Sequence, residues 1–62
     1  MCLSTVYEVS GNGERLVCEH TTNIELDGPT IRLTDIVGEE IIIDGVLKSI
    51  DLVKNIIKIE AR

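Results

Sequence analysis

The chain has no tryptophan and no phenylalanine, and its single aromatic residue is Tyr7. Rings cannot fill its interior, so the core must be aliphatic, drawn from Leu, Ile and Val that arrive in short blocks. Positive charge is also scarce. Six Lys and Arg stand against eleven Asp and Glu, for a formal net charge of −5, and a nucleic-acid partner would need clustered basic residues. No apolar run approaches the ~20 residues that span a bilayer. The N-terminus lacks the basic and apolar regions of a secretory signal, and position 2 is not glycine, which excludes N-myristoylation. These absences lead us to expect a cytoplasmic protein in which both cysteines, Cys2 and Cys18, stay reduced.

Catalysis has little to work with. His20 is the only histidine, and no nucleophile elbow accompanies it. Gly11-Asn12-Gly13 superficially resembles a phosphate loop but lacks the GK[ST] ending and a following helix. A chain of 62 residues has little room for an enclosed pocket, and we expect no enzyme.

What is present reads as one small domain over residues 1–62. A domain of this size buries only ~60% of the surface of its unfolded chain, and small scaffolds usually need disulfides, a metal or oligomerisation. Two cysteines make no disulfide scaffold, so the aliphatic composition favours a homodimer.

Short β-rich segments alternate with turn signals. Met1 to Val9 is broken by Ser10-Gly11-Asn12-Gly13, where Asn and Gly tolerate the positive φ of tight hairpins. Arg15 to Cys18 is extended, Thr21-Thr22-Asn23 interrupts it, and Ile24 to Leu26 resumes. Asp27-Gly28-Pro29 turns the chain. In Thr30 to Val37, Ile31 and Leu33 alternate with Arg32 and Thr34 at period two. Ile41-Ile42-Ile43 ends at Asp44-Gly45, a hairpin signal. Val46 to Val53 and Ile56 to Glu60 follow, joined at Lys54-Asn55. Leu47, Ile50, Val53 and Ile57 also fit a helix, but β-branched residues and Asn55 favour strands. The pattern predicts an all-β fold, a small SH3-like or Sm-like barrel of five to six short strands. The expected core is Leu16, Val17, Ile31, Leu33, Ile42, Leu52, Ile57 and Ile59.

Cys2 is the residue with chemistry. Its thiol lies next to the α-amino group, and thiolate, amine and backbone amide can reach one late transition-metal ion. Against this stands its reading as a small strand residue. Cys18, beside Val17, reads as a packed core thiol. Cys18-Glu19-His20 places two donors at i and i+2, which one face of a strand could present together. No C-x-x-C pair of a structural zinc site occurs.

The Met1-Cys2-Leu3 start, the Gly-rich turn, the run Thr30 to Asp35 followed by Glu39-Glu40, and the ending Ile50-Asp51-Leu52, a turn, then Ile56 to Ile59 together resemble the CooT-type proteins. These are small nickel-binding accessory proteins linked to maturation of carbon monoxide dehydrogenase. The resemblance covers nearly the whole chain, and apart from Cys2 it consists of strand patterning. It implies an SH3-like or Sm-like homodimer that binds Ni(II) near its N-termini through Cys2, with carbon monoxide dehydrogenase or its other maturation proteins as partners. The ending Glu60-Ala61-Arg62 has no His-rich tail. The alternative is a non-metal interaction module of Sm-like type, binding RNA or protein through its barrel surface.

Overall fold

A computed structural model describes residues 3–61. It is all-β, with five strands: β1 (Ser4–Ser10), β2 (Gly13–Asp27), β3 (Thr30–Asp35), β4 (Glu40–Asp51) and β5 (Ile56–Ala61). Consecutive strands pair antiparallel, and β1 pairs β5 in parallel, so the sheet closes on itself as a barrel. Closure gives β1, β3 and β5 a strand neighbour on each side, while each half of β2 and of β4 has one.

Two long strands make the barrel from so few elements. The first half of β2 pairs β1 and its second half pairs β3. The first half of β4 pairs β3 and its second half pairs β5. Each serves two neighbours by bending at a corner, at His20-Thr21 in β2 and at Gly45 in β4. The sequence reading took Thr21-Thr22-Asn23 as an interruption and Asp44-Gly45 as a hairpin turn, whereas the backbone continues extended through both. Gly45 is buried. A Cβ there would lie 2.6 Å from the Glu60 carbonyl oxygen and 3.0 Å from Ile59 Cγ2. Glycine at this position marks a close backbone approach and not a reversal.

The core is aliphatic, as the composition requires. Val6, Cys18, Ile31, Leu33, Ile43, Ile57 and Ile59 form it, with Val17, Ile24, Ile41 and Leu47 packed against it. Ile31, Leu33, Ile57 and Ile59 occupy their expected places, and Val17 sits at the margin. Three expected core residues lie outside. Ile42 is exposed because β4 turns Ile41 and Ile43 inward, one register from the expected face. Leu16 is exposed because an irregularity in the β1–β2 ladder places Val6 opposite Cys18 but Tyr7 opposite Leu16. That leaves Val17 as the extra residue and changes the face. Leu52 follows the end of β4 and belongs to a turn. The segment Leu47 to Ile57 forms no helix.

Candidate functional site

The start of β1 is flanked on both sides. Ser4 pairs Thr21 at the β2 corner, and Thr21 pairs Asp35 at the end of β3. On the other flank Thr5 pairs Ile56, and its amide donates to the Asn55 carbonyl at 2.9 Å. The chain therefore enters the barrel at a rim made by the β2 corner, the β3–β4 turn and the β4–β5 turn.

The β2 corner is built by one extra residue. Between Ser4 and Val6 the β1 strand takes two steps, while β2 takes three from Thr21 to Cys18. His20 absorbs the difference with φ 57°, a left-handed conformation uncommon for a non-glycine residue. Cys18 and Thr21 thereby both face inward, and His20 faces solvent.

The hydroxyls of Thr21 and Thr22 differ in their bonding. Thr22 Oγ1 donates toward the carbonyls of Thr34 at 3.2 Å and Asp35 at 3.4 Å. Thr21 is 5% exposed, and its Oγ1 has no hydrogen-bond partner among the described residues. A buried hydroxyl without a partner costs about 1–3 kcal/mol. Thr21 lines an open hollow of about 240 Å³ with Ser4, Thr22, Asn23 and Ile24.

The two turns on this rim share a construction. Asp35 Oδ1 accepts from the amides of Val37 at 3.0 Å and Glu39 at 2.9 Å. Asp51 Oδ1 accepts from the amides of Val53 and Lys54, each at 3.0 Å. An aspartate that holds its own turn is ordinary chemistry. The residues it presents are unusual for turns: Ile36 and Val37 in one, Leu52 and Val53 in the other, with Val53 92% exposed. Beside the second turn an open basin of about 590 Å³ is lined by Ile50, Leu52, Ile56, Lys54 and Lys58, among others.

Charge on the barrel wall is paired across strands. Arg15 bonds Glu8, Arg32 bonds Glu25, and Lys58 bonds Glu14 at 2.7 Å. The hydrogen bond and charge of Glu25, with Glu40 and Asp27 adding their charge, raise the Arg32 pKa further above its ordinary value. These exposed pairs add little to stability.

Of the residues singled out by sequence, Cys2 lies outside the described residues. Cys18 is a buried free thiol, its S–H directed at the Glu19 carbonyl at 3.5 Å. Cys18 and His20, proposed as a donor pair on one face, are turned to opposite sides by the corner. No group of three or more His, Cys, Asp or Glu positioned to hold a metal occurs among the described residues. Among the described residues no helix is long and apolar enough to cross a membrane. Thr21 escaped the sequence reading. Its only signal was the polar Thr-Thr-Asn break in a β-rich run, which looks the same whether the hydroxyls face solvent or the interior.

Comparison with protein families matches residues 1–60 to the model described as CO dehydrogenase accessory protein CooT. The chain matches no curated protein. Among solved structures it superposes on a crystal structure assigned to CooT from Carboxydothermus hydrogenoformans. The TM-score is 0.89 at 24% sequence identity, covering 98% of each chain. This second likeness establishes the fold, and the family match stands independently of it.

Proposed function

The chain belongs to the CooT family of CO dehydrogenase accessory proteins, and on that premise we propose that it binds Ni(II) through Cys2 and serves maturation of carbon monoxide dehydrogenase as a homodimer. Nickel is its cargo. Its role is accessory rather than catalytic, and its partners are the dehydrogenase or the other proteins that mature it.

The observation that carries this reading is the family match, which includes residue 2, taken with the fate of the competing ligands. Cys18 is buried in the core and His20 points away from it, so the described barrel offers no rival cage. The donors of Met1-Cys2 suit the ion. Ni(II) accepts tetragonal N,S ligation. With Met1 removed, the Cys2 amine and thiolate close a chelate. With Met1 retained, its amine, the Cys2 amide and the Cys2 thiolate serve. Two such ends supply four donors, which a dimer axis can gather around one ion.

Dimerisation is supported by the rim. Ile36-Val37 and Leu52-Val53 are held outward by aspartate-anchored turns on the end of the barrel where β1 begins. Exposed apolar groups of this kind mark interaction surfaces when they gather in a patch. A second copy seated there would bring two N-termini together, which is what a shared nickel site requires. The acidic net charge of −5 weighs against the RNA-binding alternative.

The test is nickel titration of protein with its native N-terminus. Wild type is expected to develop a sulfur-to-nickel charge-transfer absorption. Cys2→Ser should abolish that absorption and weaken binding strongly, while Cys18→Ser and His20→Ala keep it. Binding should weaken as pH falls, because protons compete for the amine and the thiolate. Cys2→Ser protein that binds as tightly as wild type would overturn the proposal.

A further inference from the structure

The rim carries one cation that the fold itself does not use. Among the described residues Arg15, Arg32, Lys48 and Lys58 each face an acid, and Lys54 does not. Its amide donates to Asp51 Oδ1 in the β4–β5 turn, and the residue stands exposed beside Leu52 and Val53. The net charge is −5, so acids are in excess and a lysine without one reflects where it stands. The β3–β4 turn is its opposite. It exposes Ile36 and Val37 and then Glu39. The Glu39 amide donates to Asp35 Oδ1 at 2.9 Å, and its carbonyl accepts from the Asp35 amide at 3.0 Å. Its carboxylate meets no cation among the described residues, whereas Glu40 lends its charge to Arg32. One rim therefore holds two anchored apolar turns, one ending in a base and one in an acid.

The two turns flank the start of β1. Ser4 leads through Thr21 to Asp35 on one side, and Thr5 leads through Ile56 to Asp51 on the other. Each flank is two strand steps of ~4.8 Å, and no ion pair joins the turns among the described residues. Two copies that meet rim to rim about a two-fold axis have two simple arrangements. With the axis along the line joining the turns, like turns meet, Lys54 against Lys54 and Glu39 against Glu39. With the axis across that line, past the start of β1, unlike turns meet. We propose that a second copy of this chain docks in the second way. Lys54 pairs with Glu39 of the partner subunit, Leu52-Val53 packs on Ile36-Val37, and symmetry makes each contact twice. Opposed like charges penalise the first arrangement. The inference rests on the homodimer reading and adds the orientation of the two copies and the charge pair that sets it.

Charge reversal tests this by complementation, read in sedimentation experiments. Lys54→Glu alone opposes two carboxylates at each contact, and Glu39→Lys alone opposes two ammonium groups. Each should weaken dimerisation by roughly 10- to 100-fold. Both positions are exposed, so the barrel should fold in either variant. An equimolar mixture of the two makes every contact unlike in charge again and should recover the dimer. The double variant Lys54→Glu with Glu39→Lys should recover it as a single species. At about 1 M salt, where the screening length falls to ~3 Å, the single variants should approach wild type. Single variants that dimerise as tightly as wild type overturn the pairing, and this is the outcome expected if Lys54 instead receives an acidic segment of another protein. Single variants that weaken but fail to complement each other overturn it as well. In both cases a dimeric wild type leaves the homodimer reading standing. If wild type is a monomer, that reading fails and this inference with it.

Discussion

The two corners of the barrel solve one geometrical problem in different ways. At Gly45, β4 bends by dispensing with a side chain, and the backbone of β5 fills the space that a Cβ would need. Its amide donates to the Pro29 carbonyl at 3.3 Å. At His20-Thr21, β2 bends by adding a residue in a left-handed conformation, and it leaves a buried hydroxyl without a partner among the described residues. The first corner is packed tight. The second is imperfect by the standards of stability, and it lies beside the start of β1. Buried polar groups left unsatisfied are uncommon, and among the described residues the barrel carries this one at the β1 end.

The contrast is broken most severely at the tight corner. Gly45→Ala places a methyl group 2.6 Å from a carbonyl oxygen that cannot rotate away. Overpacking of this kind should cost about 2–3 kcal/mol, a large share of the roughly 3–9 kcal/mol expected for a domain of this length. Thermal denaturation should show a midpoint lower by roughly 10–20 °C. Ile59→Val should not rescue it, since the shorter contact is to backbone. A midpoint unchanged by Gly45→Ala would mean that β5 does not approach so closely.

The open corner should respond in the other direction. His20 stands at φ 57°, which costs an L-residue on the order of 1–2 kcal/mol, partly offset in glycine by its greater unfolded-state freedom. His20→Gly should therefore raise stability by about 0.5–1 kcal/mol in urea titrations. A loss would show that the imidazole itself holds the corner. The smallest effect on the fold belongs to the rim. Leu52→Ser with Val53→Ser removes exposed methyl groups and should change monomer stability by no more than about 0.5 kcal/mol. Light scattering should nevertheless report a monomer for this variant and, on the proposed reading, a dimer for wild type. A variant that stays dimeric would place the interface elsewhere.

The sequence announced the class of fold through period-two segments and turn signals, and it announced the aliphatic core through the missing rings. Ile31, Leu33, Ile57 and Ile59 were legible because their strands alternate cleanly. Ile42 was not, since three successive isoleucines carry no phase. Leu16 was lost to an irregularity in the ladder, which composition does not mark. Asp44-Gly45 carried a true glycine signal with two meanings, a reversal or a close approach, and only the position of β5 separates them. The site divides in the same way. Cys2 stands out by chemistry and place in the chain, whereas Thr21 acquires its character from burial, which depends on where the extra residue of β2 falls.

The parallel pairing of β1 with β5 also bears on how the protein is made. Its first strand cannot find its second neighbour until its last strand has been synthesised. Contacts between such distant segments form late and slowly in folding. While the chain is still being translated, Ser4 can meet the β2 corner, but the Asn55 carbonyl that receives the Thr5 amide does not yet exist. The rim around the start of β1 is thus completed only when nearly the whole chain is available, and a truncated or nascent chain would lack it.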